Sequence, residues 1–251
     1  MWVYIRVEAQ PITTAWIYHN AELGLISLSS DWETWTTITD KNLWATQVYN
    51  NWDTLSETNC GKFYQWGNNY WFPFTWAVTT SSTQADASNY WPWNYYSSST
   101  FIIRNNTPRD WSSVENNNLR WDTTWTNEAR QWPCATWFHI PTYEERNSLF
   151  NIWNWFWIWS SSNWWWMKTY LKMPYAWDRN NADGVHYSDG SYSNFWTSQP
   201  WKSWFSKYIR LYPTSIILTQ STYRCSGCSI RPFKNEAVQP DSSREVLYQP
   251  N

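Results

Sequence analysis

Apolar and polar residues alternate along this chain in short bursts rather than in long periodic runs. Gly24 to Thr46 reads as extended. Ile26-Ser27-Leu28-Ser29 alternates strictly, a short turn follows, and Thr36-Thr37-Ile38-Thr39 leads into Asp40-Lys41-Asn42-Leu43. Period-two alternation of this kind predicts half-buried strands. The clearest helix starts at Thr142. In the capping box Thr142-Tyr143-Glu144-Glu145, the Thr hydroxyl accepts from the Glu145 amide while the Glu145 carboxylate reaches back. Glu145, Leu149, Ile152, Trp153 and Phe156 share a helical face, with Leu149, Ile152 and Phe156 as its apolar stripe. A second short helix is predicted over Met167 to Leu171, ending before Pro174. Short polar strands follow at Gly190–Ser193, Phe195–Ser198, Tyr208–Leu211, Ser215–Leu218 and Ser229–Phe233. Helices first and strands afterwards indicate an α+β fold.

Residues 79–127 break this pattern. They are rich in Ser, Thr and Asn and show no periodic apolar face. An insert of that length reads as a functional excursion or a decorated surface loop. Val238-Gln239-Pro240-Asp241-Ser242-Ser243 reads as a linker, with Val246-Leu247-Tyr248 opening a further strand-rich unit.

Charge removes some function classes. The 251 residues carry a formal net charge of -2, and the 18 Lys and Arg never gather into a basic stripe, so nucleic acid is not the expected partner. Apolar runs fall well short of a membrane span. Met1-Trp2-Val3-Tyr4 is no basic-then-apolar leader, so an exported protein would carry an earlier start or be an internal fragment. Aromatic residues reach 22% against 15% charged. That balance argues against disorder, because large rings supply burial, and it suits secreted β-rich modules.

One pair of counts conflicts with turn chemistry: 27 Trp and 6 Gly. Average usage, roughly 7% Gly, would place about 17 glycines here, and a loop-rich chain needs residues that tolerate positive φ. Tryptophan stands instead at turn-like places, including Trp91-Pro92-Trp93-Asn94, Asn163-Trp164-Trp165-Trp166 and Ala176-Trp177-Asp178-Arg179. Two explanations are open. The protein is a Trp-rich surface protein, or many of these positions are glycine, encoded by UGA in a lineage that reads that codon as glycine.

Several blocks, in order over residues 31–235, resemble the Fibrobacter succinogenes major paralogous domain. Asp40-Lys41-Asn42-Leu43-Trp44-Ala45 is similar to its Asp-Arg-Asn-Leu-Gly-Ala segment. Cys60-Gly61-Lys62-Phe63-Tyr64-Gln65-Trp66-Gly67 resembles its cysteine and aromatic-Trp block. The most specific match, Cys134-Ala135-Thr136-Trp137-Phe138-His139-Ile140-Pro141-Thr142, resembles Cys-Pro-x-Gly-Trp-His-Leu-Pro-Ser. Leu171-Lys172-Met173-Pro174-Tyr175-Ala176-Trp177, Asn194-Phe195-Trp196-Thr197-Ser198 and Ser229-Ile230-Arg231-Pro232-Phe233-Lys234 resemble three further segments, with Pro232 replacing a closing cysteine. The glycines of three of these motifs fall on Trp44, Trp137 and Trp177, which favours the recoding explanation.

The resemblance implies a C-type-lectin-like fold, related to formylglycine-generating enzymes: two short helices, a twisted mixed or antiparallel sheet and long irregular loops. It implies residues 1–30 as an N-terminal strand or leader fragment, 31–235 as the domain and 236–251 as linker and start of a further unit. It also implies a secreted or cell-surface location within a larger exported protein. Cys60 and Cys134, lying in two family-like blocks, are candidate disulfide partners.

The remaining chemistry is sparse. Cys225-Ser226-Gly227-Cys228 lacks a second pair or nearby His for zinc. His19, His139 and His186 are scattered, and His139 reads as a structural hydrogen-bonding residue. Asp178, Asp183 and Asp189, with Asn180 and Asn181, offer oxygen donors for calcium, but an Asn/Asp/Gly turn cluster has the same composition. Glu144 and Glu145 are adjacent and cannot both face one site. No catalytic residue is therefore assigned. The expectation is a non-catalytic module binding glycan or protein ligands, with a structural spacer and a formylglycine-generating-type enzyme as alternatives.

Overall fold

The computed structural model describes residues 16–29, 33–75, 77–86, 98–104, 109–113, 120, 121, 130, 133–154, 168–187, 190–213 and 215–237; for 16, 150–154 and 219 it describes the backbone alone. In chain order the elements are β1 (Trp16–Asn20), β2 (Leu25–Ser29), β3 (Trp35–Thr39), α1 (Glu57–Cys60), β4 (Tyr64–Gln65), β5 (Thr80–Ser81) and β6 (Phe101–Ile102). They continue with β7 (Phe138–His139), α2 (Tyr143–Asn154), β8 (Ser193–Lys202), β9 (Phe205–Leu211), β10 (Ile216–Tyr223), β11 (Gly227–Cys228) and β12 (Phe233–Lys234). The fold is α+β, built mostly from strands with two short helices and open antiparallel sheets.

Five strands form the first sheet in the order β1-β2-β3-β12-β7, all antiparallel. Alternation explains its two faces. Ile26 and Leu28 of β2 point into the main core with Ile17 and Ile38. Ser27 lies on the other face, where its hydroxyl pairs with that of Thr37 at 2.9 Å. Of the N-terminal strand or leader fragment expected at 1–30, residues 16–29 are described and join this sheet: β2 pairs with β3 over five residues, and Ile17, Ile26 and Leu28 are buried. The hydrophobic stripe of β1 and β2 needs that sheet to leave water.

Helix α2 begins where its capping box predicts. The Glu145 amide donates to Thr142 Oγ1 at 3.0 Å, and the Thr142 amide donates to Glu145 Oε2 at 2.7 Å. Leu149 packs into the main core against β8 and β9 through Phe195, Ile209 and Leu211. Ile152 and Trp153 have no described side chain, and Phe156 lies outside the described residues. The helix expected over 167–171 is reduced to a helical turn at 168–169, with Met167 outside the described residues. The second helix is α1 instead, whose entry is fixed by the Ser56 amide donating to Asn59 Oδ1 at 3.0 Å.

Strands β8, β9 and β10 form an antiparallel meander. A second core lies between this meander and β4, joining Tyr64, Trp66, Ile140, Trp196, Tyr208 and Ile230. Where it is described, the polar stretch at 79–127 mixes exposed residues such as Thr80, Ser82 and Thr83 with buried anchors. Strands β5 and β6 pair in parallel, and Phe101, Ile102 and Trp111 are buried. Its anchor is ionic: Asp110 accepts from Arg120 at 2.7 and 2.6 Å and from Arg224 at 3.3 Å, with both guanidinium groups buried.

Candidate ligand-binding surface

Buried arginines position the loops around the late sheet. Arg231 donates to Asn42 Oδ1 (3.0 Å), Thr39 O (2.9 Å), Leu171 O (3.2 Å) and Lys172 O (2.8 Å). Asn42 in turn donates to Cys60 O at 3.0 Å. Two of the resemblance-bearing blocks, Asp40–Ala45 and Ser229–Lys234, are therefore stitched together by one guanidinium. Arg179 does the same for the next loop, donating to Gly184 O at 2.6 Å and to Pro73 O through two nitrogens. Burial, which penalises the charged form, pushes Arg231 down to about 9 against the opposing attraction of Asp40.

The loop held by Arg179 carries the expected calcium donors, and the structure sends them to protein partners. Asp178 Oδ1 accepts from the Tyr192 hydroxyl and Oδ2 from Asn194 Nδ2, both at 2.9 Å. Burial raises the Asp178 pKa against the opposing pull of Tyr192, Arg210 and Asn194. Asp183 accepts from the Val185 amide (2.9 Å) and the Tyr187 hydroxyl (2.6 Å), closing its own turn. Asp189 lies outside the described residues. Among the described residues no three His, Cys, Asp or Glu side chains converge on one point.

What the loop does present is a tyrosine-rich face. Tyr192 packs against Trp177 at 4.6 Å and Tyr212 at 5.8 Å between ring centroids, and Tyr187 stands 6.2 Å from Trp177 with 45% of its surface exposed. Arg210 lies over Tyr192 at 4.6 Å, donates to Asn194 Oδ1 at 2.8 Å and reaches the Tyr212 hydroxyl at 3.1 Å. Asp178, Asn194, Arg210 and Tyr212 thus form one hydrogen-bonded chain beneath the rings. Aromatic faces beside fixed polar groups suit a ligand with both apolar faces and hydroxyls. The sequence singled out Asp178 but not Arg210 or Tyr212, because the partners sit on different strands.

The other candidates resolve into structural roles. His139 shares one nitrogen with Asn235 Oδ1 (2.9 Å) and the other with Glu145 Oε1 (3.1 Å), as its structural reading requires. Glu145 also pairs with Arg130 at 3.0 Å. Burial alone would raise the Glu145 carboxyl, but bonds from His139 and Arg130 bring it down to about 2. Glu144 shares a surface groove with this cluster.

All four cysteines are buried free thiols in this structure, the candidate pair Cys60 and Cys134 among them. Cys60 packs with Phe63 and Phe74, whereas Cys134 packs with Tyr64 and Trp196 in a different core cluster; bridging demands close, facing Cβ atoms. Burial pushes the Cys60 and Cys225 thiols up to about 12 and also raises the Cys228 thiol well above its ordinary value.

No family, curated protein or solved structure matches this chain. Among the described residues no helix is long and apolar enough to cross a membrane.

Proposed function

We propose that this chain is a non-catalytic, C-type-lectin-like module of a larger secreted or cell-surface protein, and that it binds a glycan or protein ligand. The observation carrying the reading is the Tyr187, Tyr192, Tyr212 and Arg210 face, in which Asp183 holds the Tyr187 hydroxyl, Asp178 the Tyr192 hydroxyl, and Asn194 and the Tyr212 hydroxyl accept from Arg210. Rings fixed in place lose little entropy on binding, which favours recognition by stacking and hydroxyl pairing. An α+β fold with antiparallel sheets is compatible with the lectin-like assignment. Against the enzyme alternative stands thiol chemistry. Oxidation of the formylglycine type needs accessible thiolates, and Cys225 and Cys228 are 1% and 0% exposed.

The test is binding of the purified chain to a glycan array and to intact bacterial and animal cells. Retained ligand is expected to bind roughly tenfold more weakly to Tyr187→Ala and to Tyr212→Ala, the loss typical of a contributing interface aromatic. Absence of binding to every glycan and cell surface would sink the reading.

A further inference from the structure

The backbone itself identifies residues that do not belong. Gly24, Gly61, Gly67, Gly184 and Gly190 hold φ between 67° and 76°, the left-handed region. Five other described residues enter that region: Trp44 (65°), Trp121 (58°), Trp137 (69°), Trp177 (57°) and Lys172 (54°). A Cβ there crowds the following carbonyl oxygen. When L residues adopt it, Asn and Asp lead, yet no described Asn or Asp is among the five. Four of the five are instead tryptophan, a residue with no property that favours the conformation.

Two of the four sit at a defined turn position. The Ala45 amide donates to Asn42 O at 2.9 Å, and the Phe138 amide donates to Ala135 O at 3.0 Å. Trp44 and Trp137 are the third residues of these four-residue turns, and positive φ at the third position is the type II pattern that calls for glycine. Trp44 and Trp137 are 59% and 65% exposed, so burial of the side chain does not account for the backbone there. Trp121 is the hard case, since its indole is buried and donates to Asn69 Oδ1 at 3.1 Å. Its neighbour Arg120 is itself pinned by two hydrogen bonds to Asp110.

A second set of tryptophans behaves as tryptophan should. Trp66, Trp111 and Trp196 are fully buried and outside the left-handed region. Their indole N–H groups donate to Thr197 O (3.0 Å), Trp66 O (2.6 Å) and Tyr64 O (2.6 Å).

We infer that positions 44, 121, 137 and 177 are glycine in the protein its gene specifies, while 66, 111 and 196 are tryptophan, the first set encoded by UGA and the second by UGG. At 177 this changes the candidate surface. The ring face of Tyr192 that the indole contacts at 4.6 Å would be bare, enlarging the tyrosine face. Only that consequence touches the proposed ligand surface; a failed binding screen leaves the backbone argument intact.

The nucleotide sequence, together with peptide mass spectrometry of the protein from its source cells, tests the division. UGA and glycine masses at 44, 121, 137 and 177, with UGG and tryptophan masses at 66, 111 and 196, are expected. A tryptophan mass at any of the first four, or UGA at any of the last three, overturns it. Recombinant pairs supply an independent readout. Relative to Ala, Gly at 44 and at 137 is expected to raise the folded-to-unfolded ratio roughly fivefold or more. At Trp52, 95% exposed with ordinary φ, Gly should instead lower it. Ala equalling Gly at both turn positions would also overturn the inference.

Discussion

Asp110→Asn is the sharpest probe of how the polar stretch is anchored. The wild-type carboxylate receives two hydrogen bonds from Arg120 and one from Arg224, and its side chain is 4% exposed. Asn keeps the size and removes the charge, leaving two buried guanidinium groups without their counterion. Removing one partner of a buried ion pair costs about 3–5 kcal/mol. Arg120 keeps a bond to Trp66 O and stacks over Trp66 and Trp111, and Arg224 keeps Phe205 O, so the lower end, about 3 kcal/mol, applies. At roughly 2–4 °C per kcal/mol for a chain of this size, Tm should fall by about 6–12 °C. Thermal and urea unfolding followed by far-ultraviolet circular dichroism and tryptophan fluorescence would measure it. Arg120→Ala alone and with Asp110→Ala completes a double-mutant cycle, in which the pair should cost less than the two singles added. A loss under about 1 kcal/mol, with additive singles, would refute the claim that this ion cluster holds the segment in the core.

Three further outcomes follow from the same geometry. Thr142→Ala should cost about 1 kcal/mol in urea unfolding, the usual loss of an N-cap; an unchanged midpoint would remove the cap from the account of α2. Glu145 has a folded pKa of about 2 against an ordinary 4.5, so its stabilisation is present above pH 4.5 and is lost as pH falls from there towards 2. Glu145→Gln should abolish that part of the acid slope, measured as urea midpoint against pH. His186 sits between Phe63 and Phe74, and burial drives it down to about 4 from 6.5. It is neutral in the fold, so stability drops as pH falls from 6.5 through 4; His186→Gln should flatten that interval, and an unaltered slope there would contradict it.

Local reasoning reached the elements whose cause lies within a few residues. The Thr142–Glu145 cap, the alternation of β2 and the strands at 195–198 and 208–211 are all decided by neighbours one to four positions apart. The helix expected over 167–171 shortens to a turn at 168–169, because Leu171 and the following Met173 are drawn into the main core. The anchoring of the polar stretch at 79–127 is not legible locally for a related reason. Its anchors Phe101, Trp111 and Asp110 are single residues without period, and their partners lie elsewhere in the chain. An acidic turn and a metal loop share a composition, so the sequence left both readings of Asp178 and Asp183 open; the partners Tyr192, Asn194 and Tyr187 are visible only in the fold.

The sequence by itself determined the α+β class, the entry of α2 and the shortage of glycine, all of which depend on torsional preference and on side-chain periodicity over a few residues. Tertiary structure alone decided which carbonyls Arg231 and Arg179 bind, that the four thiols are buried and unbridged, and that Asp178 serves Tyr192 and Asn194. It also decided that Trp44, Trp121, Trp137 and Trp177 lie at left-handed φ, while Trp66 and Trp196 fill the core outside that region. The physical reason is reach. A torsion or a cap is set by the nearest few residues, whereas a buried charge or ring is satisfied by whatever the folded chain brings beside it, 106 positions away for Arg179 and Pro73.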